Sequence, residues 1–382
     1  LTVVTTAFSA IMATPNLPTP LLPGYRRALG LSAFGLTVLF SVYLVVLVVA
    51  LVSVGPLTRR YSPRALLLTG IVLAATADGF LGLGAHLIPV LAGRALTGAA
   101  VGVSTGAAAV LLAHHGGGRK RSATALCALG GAAAGTAATA LAADFLPWPN
   151  TTIYLLHLLI LLTSAVGIVV VPVGVPGGVI GRRPEGRPSP RPRGGGAFVI
   201  GSAVGAAAWI TAGLVVSLVP TYSNELLGAT DRVTASSPVV AFLLAACAGA
   251  RLAARRSARV ELPIALTLMC GGLAGVAVSG PLHSALLLFT AGGITGGGQG
   301  LGFRAGLATA VGGSDTARHG RVTVLYNAFA YLGATVTTLT LGLAAAAGGL
   351  ETAFRYAAVV FAGYGIVVIV FAARLSAVRP DA

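Results

Sequence analysis

Charge is scarce in this chain of 382 residues. Asp, Glu, Lys and Arg together make up 9% of it, whereas soluble domains carry about a quarter. A soluble protein of this length could not cover its surface with so few charges. Acids are scarcer still, with nine against 25 bases and a net charge of +16. The bases fall in short clusters between apolar runs rather than on one face, so they read as membrane topology and not as a nucleic-acid footprint. Cys127, Cys247 and Cys270 lie inside apolar runs without pairing or metal-ligand spacing, which argues against a disulfide framework and leaves them as packing residues. His114 and His115 have no third ligand nearby, so no metal and no cofactor is expected. Aromatics reach only 6%, too few for a large stacking pocket for flat cations. The 53 glycines follow no collagen-like period. What remains is apolar: 56% of the residues are hydrophobic and the mean hydropathy is +0.91. These values describe a polytopic integral membrane protein, at about 20 apolar residues per span.

Twelve apolar segments can be read, near 1–22, 33–54, 65–86, 88–113, 122–143, 152–173, 197–219, 234–254, 262–280, 285–311, 322–348 and 354–374. Each is long enough to cross as a helix, which satisfies its own backbone groups in lipid. The first leads straight into further spans and is not a cleaved leader. The sequence opens at Leu1 without a basic leader, which leaves open a trimmed or mis-started beginning. With both termini placed in the cytoplasm, nineteen of the 25 basic residues fall in inner loops. Only Arg26, Arg27 and Arg232 fall outside, and Arg94, Arg304 and Arg355 lie within spans. That asymmetry fits the positive-inside rule and an even number of spans. Trp148 suits an interfacial aromatic at the outer end of the fifth span.

Residues 174–196 are rich in Pro, Gly and Arg and cannot bury apolar area, so they are expected to be a flexible cytoplasmic linker. They divide the chain into an N-terminal bundle of six spans, 1–173, and a C-terminal bundle of six, 197–382. The halves echo each other. Leu57, Arg60, Ser62 and Arg64 recur at an offset of 195 as Leu252, Arg255, Ser257 and Arg259. Thr97-Gly98 and Gly102 recur at an offset of 198 as Thr295-Gly296 and Gly300. Near-equal offsets point to a duplicated six-helix unit.

With these features the sequence resembles the major facilitator superfamily over essentially its whole length. The stretch Gly55-Pro-Leu57-Thr-Arg59-Arg60-Tyr-Ser62-Pro-Arg64 is similar to that family's loop signature between the second and third helices, Gly-x-Leu-x-Asp-Arg-x-Gly-Arg-Arg. Arg59 stands where the family has Asp, and Ser62 where it has Gly. The resemblance implies that Gly55, Leu57, Arg60 and Arg64 form a gating loop. Leu91-Ala-Gly-Arg94-Ala-Leu-Thr-Gly98-Ala-Ala-Val-Gly102 resembles the fourth-helix motif, whose Arg the family ties to proton coupling or substrate binding. Gly131-Ala-Ala-Ala-Gly135-Thr136-Ala-Ala-Thr139 is similar to the fifth-helix exporter motif, with Thr136 in place of Pro and Thr139 in place of Gly. The stretches Pro18–Tyr25, Leu29–Ser32 and Gly298–Arg304 look like exporters of actinobacterial type. The resemblance implies an all-α fold of twelve transmembrane helices in two pseudo-symmetric six-helix bundles.

Ionisable residues inside spans are costly and therefore candidates for function. Asp78 is the one deep acid, about 20 Å along the third span at 1.5 Å per residue. It could bind a proton or a cationic substrate, since burial disfavours the charged carboxylate, or it could make a polar contact near the outer end. Arg94 stays charged and can modulate a nearby acid or bind an anion, or it is a structural Arg bonded to backbone carbonyls. His157 reads as a hydrogen-bonded core residue rather than a proton relay. Arg304 is expected to snorkel to the inner interface, and Arg355 to anchor at the outer surface. Asp144, Glu225 and Asp231 read as solvated. Gly98, Gly102 and Gly106 line one helix face, as do Gly298, Gly302 and Gly306, at a spacing that lets helices approach closely. If the family geometry holds, a central cavity is lined by candidates Asn16, Tyr43, Trp209, Gln299, Asn327 and Tyr331. Asn16 sits among prolines, where a broken helix could expose carbonyls. A mostly apolar lining favours a hydrophobic or weakly polar substrate over sugars.

The sequence therefore leads to a secondary transporter of the cell membrane, monomeric, with protons as coupling ion and a small molecule as cargo. Asp78 is the expected proton carrier and Arg94 its modulator. Efflux is the primary reading. An uncoupled facilitator or importer of a small metabolite is the alternative, supported by Arg59 and by the altered fifth-helix motif. No clustered catalytic set suggests an enzyme.

Overall fold

The computed structural model describes residues 2–84, 86–116, 123–171, 195–226, 228–252, 257–312 and 316–377. Every regular element among them is helical, as a chain without water to satisfy its backbone requires. The first span is not one helix. α1 (Thr2–Ala13) gives way to two 3₁₀ turns, Thr14–Asn16 and Thr19–Leu21, before α2 (Leu22–Ala28). Pro15, Pro18 and Pro20 each remove a backbone donor and interrupt the α-helical ladder there.

The remaining helices are α3 (Ala33–Arg60), α4 (Pro63–Gly82), α5 (Leu87–Gly116), α6 (Ala123–Phe145), α7 (Pro149–Val170), α8 (Gly195–Leu226), α9 (Arg232–Leu252), α10 (Ala258–Ser279), α11 (Ala285–Val311) and α12 (Thr316–Ala377). Nine helical stretches among the described residues are long and apolar enough to cross a membrane. The last, Val322–Arg374, has 53 residues. It would measure about 80 Å against a hydrocarbon core of about 30 Å. Gly349, at φ 83° and ψ 162°, breaks it, so α12 is two spans. Glycine makes α11 less apolar than these nine, and the first span is broken into helices too short to be among them. Together these make twelve crossings.

The helices sort into two groups. In the first, α3 and α4 pack on α5, α1 on α6, and α4 on α7. In the second, α9 and α10 pack on α11, and α8 on α11 and α12. The groups meet where α3 touches α12 and where α6 touches α9. The expected linker lies outside the described residues, except that Gly195 and Gly196 already belong to α8.

The sequence echo is a packing echo. A β-carbon at Gly98 would collide with the Tyr43 carbonyl, and one at Gly102 with Ala50, so α5 lies directly on α3. In the second group, β-carbons at Gly296 and Gly300 would collide with the carbonyls of Phe242 and Ala246, so α11 lies on α9 in the same way. Gly106 meets open space and does not extend the first ridge. Gly298 and Gly306 turn to α10 and α8 instead, against Ala265 and Gly201.

Outward, leucine and valine faces stand uncovered, among them Leu155, Leu159 and Val166 of α7 and Val359, Val360 and Val367 of α12. Apolar faces of this extent suit lipid, not water. The face bearing Arg26, Asp144 and Glu225 is the one the loop charges assign to the outside, and it is called the outer face.

Candidate functional site

Asp78, Arg94 and His157, buried ionisable side chains of the first group, lie toward its outer end. α4 stops at Gly82, short of the expected 86, so Asp78 lies about one turn from the helix end. It is nevertheless only 1% exposed. A separate small core is built in this group from Leu17, Leu22 and Tyr25 with Leu81, Ile153 and Tyr154, to which the broken first span and the start of α7 both contribute.

Asp78 Oδ2 lies 2.6 Å from His157 Nδ1 on α7. The other ring nitrogen, Nε2, lies 3.0 Å from the Ala10 carbonyl of α1. Asp78 Oδ1 is buried without a hydrogen-bond partner among the described residues. His157 is thus hydrogen-bonded core, as expected, but its partner is the deep acid. Nothing in the sequence marked that pairing, because the residues are 79 apart on different helices.

Arg94 projects from α5 into the break of the first span. Its Nη1 donates to the Pro15 carbonyl at 2.7 Å, its Nε to Leu39 at 3.1 Å, and its Nη2 to Phe40 at 3.3 Å. The guanidinium also lies 4.5 Å from the centre of the Tyr43 ring and 5.4 Å from that of Phe40. Carbonyls and ring faces are the groups that hold a buried cation without a counter-ion. The carbonyl that the proline break exposes is therefore taken by Arg94. Among the described residues Arg94 forms no ion pair with Asp78. Tyr154 is within electrostatic reach of both, and its hydroxyl is 3.2 Å from that of Tyr25.

The aromatic candidates fall near the meeting of the two groups. Trp209 and Tyr331 rings are 4.4 Å apart, and Trp209 also meets Phe303 edge-on at 5.7 Å. Tyr43 is within electrostatic reach of Tyr331 across the groups. Trp209 Nε1 and Gln299 Oε1 are buried without partners among the described residues. Asn16 Nδ2 turns back to the Met12 carbonyl at 3.5 Å, and Asn327 Nδ2 to Thr323 at 2.9 Å. No described hydrogen bond or ring contact joins Asn16, Gln299 or Asn327 to the aromatics.

The expected gating loop is mostly helix. α3 runs through Gly55 and Leu57 to Arg60, and only Tyr61 and Ser62 separate it from α4. Ser62 accepts from the Ala65 N–H as an N-cap, the role its hydroxyl supports. Arg60 is exposed. Arg64 donates to the Val169 carbonyl of α7 at 2.7 Å. The side chains of residues 55–59, Arg59 included, lie outside the described ones.

The outer acids are not simply solvated. Asp144, at the end of α6, accepts from the backbone N–H groups of Arg232 at 3.0 Å and Val233 at 2.8 Å, the first turn of α9. Asp231 accepts from Thr234 N at 2.6 Å, which holds its carboxyl below the ordinary range. Glu225 of α8 pairs with Arg26 of α2. The Asp144 and Arg26–Glu225 contacts tie the two groups together on the outer face, and the Arg26–Glu225 pair lines a cleft of about 400 Å³ with Arg27, Thr221 and Asn224. Sequence reasoning missed this closure because it is made entirely of tertiary contacts. Arg304 likewise does not only snorkel: its Nη1 reaches the Ala250 carbonyl in the last turn of α9 at 2.5 Å. Arg355 pairs with Glu351 on the surface.

The family model described as Major Facilitator Superfamily matches residues 2–338. No curated protein matches the chain. With the match running through most of both helical groups and twelve crossings in the fold, the chain belongs to the major facilitator superfamily: it is a multi-span membrane transporter of a small molecule, and not an enzyme.

Proposed function

We propose that this transporter exports a small, largely apolar compound in exchange for protons. The observation that carries the reading is Asp78: a carboxyl 1% exposed, one of whose oxygens is buried without a partner. Keeping such a group ionised in an apolar interior is costly, and taking up a proton relieves the cost. Asp78 is the proton carrier. Arg94, buried in the same bundle with Tyr154 within electrostatic reach of both, modulates its charge. Cargo rests against Tyr43, Trp209 and Tyr331, with Asn16, Gln299 and Asn327 supplying the few polar contacts. The unpartnered Trp209 Nε1 and Gln299 Oε1 supply one donor and one acceptor, which suits a weakly polar compound better than a sugar.

The working unit is a monomer in the cell membrane with both termini in the cytoplasm. Its bundles, 1–173 and 197–382, are joined by the 174–196 linker and rock about the central site. Gly55, Leu57, Arg60 and Arg64 gate the inner side. The outer closure by Asp144 and Glu225 supports assigning this conformation to the inward side of the cycle.

The test uses purified protein in liposomes loaded with a pH-sensitive dye. A panel of amphiphilic compounds is screened under an imposed proton gradient. Compound-dependent proton movement that disappears in Asp78→Asn supports the reading. Compound flux without proton movement replaces it with an uncoupled facilitator, and proton coupling that persists in Asp78→Asn removes Asp78 from the carrier role.

A further inference from the structure

We infer that Asp78 and His157 form one proton-binding unit that holds a single proton between them, and that its loss breaks the His157–Ala10 hydrogen bond between α7 and α1. The inference rests on the proton-coupled reading above and adds a second residue to it. It follows from hydrogen-bond geometry. The Ala10 carbonyl only accepts, so His157 Nε2, 3.0 Å away, carries a hydrogen. Asp78 Oδ2 and His157 Nδ1 are 2.6 Å apart. Two lone pairs do not approach that closely, so a proton lies between them. On the oxygen it makes a neutral acid beside a neutral imidazole. On the nitrogen it makes a carboxylate beside an imidazolium. Both descriptions carry no net charge and share the same removable proton, as coupled groups do.

When that proton leaves to water, one ring hydrogen remains for two acceptors. His157 can then donate to the Asp78 carboxylate or to the Ala10 carbonyl, but not to both in this geometry. A bond to an ionised acceptor is the stronger, so the hydrogen goes to Asp78 and a lone pair faces Ala10. The α7–α1 bond is lost. Ala10 lies one turn and a residue before Pro15, whose carbonyl holds Arg94. The proton is thereby connected to the broken span without any direct contact between Asp78 and Arg94.

The other groups around the pair are few. α7 adds Tyr154, α2 adds Tyr25 hydrogen-bonded to it, and α5 adds Arg94. α1 brings the Ala10 carbonyl, and α6 brings Cys127, which faces Ser9. Asp78 is thus the single carboxylate in this set. His157 acts as a positioning residue and shares the proton.

Proton release on an alkaline pH jump is measured on the purified full chain with an indicator dye. Wild type, Asp78→Asn, His157→Gln and the double variant are compared, with folding checked by size-exclusion chromatography. One shared proton predicts that Asp78→Asn and the double variant each lose one released proton per chain, while His157→Gln leaves that proton on the Asp78 carboxyl and releases it only at higher pH. Two independent groups would make the double variant lose two, which overturns the inference. His157→Asn gives the same readout should the Gln variant not fold. In liposomes, His157→Gln is expected to shift the pH dependence of transport to higher pH, whereas Asp78→Asn loses it. Wild-type pH dependence in His157→Gln with loss in Asp78→Asn overturns the shared proton and leaves Asp78 as sole carrier. Wild-type proton coupling in Asp78→Asn overturns the carrier reading itself.

Discussion

The Asp144 carboxylate ends α6 and caps α9, accepting the Arg232 backbone N–H at 3.0 Å from 88 residues away. A helix start leaves its first N–H groups without partners. α9 meets this need with two carboxylates, its own Asp231 on Thr234 and Asp144 on Arg232 and Val233. The second cap belongs to the other bundle, so opening the outer face uncaps a helix.

Asp144→Ala should therefore favour the outward-open state. Losing a cap costs about 1 kcal/mol, a population shift of roughly fivefold. The readout is the labelling rate of Thr221→Cys by a membrane-impermeant maleimide, in a chain whose three native cysteines are replaced by alanine. A rate about fivefold higher is expected. Arg26→Gln should change it less, because the Arg26–Glu225 pair is partly exposed and such pairs contribute about 0–1 kcal/mol. An unchanged rate in Asp144→Ala would mean the cap does not hold the face closed.

The Asp231 cap predicts a pH dependence with a definite sign. Its carboxyl is held low by the Thr234 N–H, so its contribution is complete above the unfolded value and is lost as pH falls through the folded one. Hydrogen exchange in the first turn of α9 should accelerate below about pH 4. In Asp231→Asn that acceleration should be reduced, since an amide caps without titrating. Equal acid sensitivity in both proteins would assign the effect elsewhere.

Arg94→Lys should uncouple the break of the first span from α5. A single ammonium cannot reproduce the fork that meets Pro15, Leu39 and Phe40. Each lost bond from a charged donor is worth about 1.5–3 kcal/mol. Thermal unfolding in detergent should show a destabilisation of about that size for one bond, and transport should fall at least about tenfold. Full transport with Lys would show that charge alone suffices.

The glycine contacts separate positions that look alike in sequence. Gly300→Ala drives a methyl into the Ala246 carbonyl and should cost about 1–3 kcal/mol, as overpacking does. Gly106→Ala and Gly293→Ala meet open space and should be neutral or stabilising by about 0.5–1 kcal/mol. Thermal unfolding of the three variants tests the order, and equal effects would contradict the packing.

The span pattern was legible because lipid imposes a length and a charge asymmetry that the sequence must carry. The duplication was legible too, through Gly98 and Gly296. The structure shows what that repeat hides. By the 198-residue offset, Arg94 corresponds to Gly292. Gly292 lets α11 close against the Pro238 carbonyl, whereas Arg94 fills the matching space and binds the Leu39 carbonyl. By the offset of 195, Asp78 corresponds to Leu273, a fully buried apolar residue. The polar chemistry of the first bundle is thus a departure from its own repeat. Its partners were not legible, because His157, Ala10 and Pro15 reach their places only when α1, α5 and α7 pack together. The first-span break was foreshadowed by three prolines. The outer closure was not, since Asp144 and Glu225 look like ordinary loop acids until their partners arrive from the other half.

Arg94 also has an electrical consequence. Its guanidinium is a buried charge, 4% exposed, fixed to backbone rather than to a counter-ion. A bundle that rocks carries this charge along and displaces it relative to the membrane field. A full elementary charge moved across the whole field changes the free energy by about 2.3 kcal/mol per 100 mV, and Arg94 contributes in proportion to the fraction of the field it crosses. If the bundles rock as proposed, membrane voltage sets part of the balance between inward- and outward-facing forms, even with the proposed Asp78–His157 unit electrically neutral when loaded.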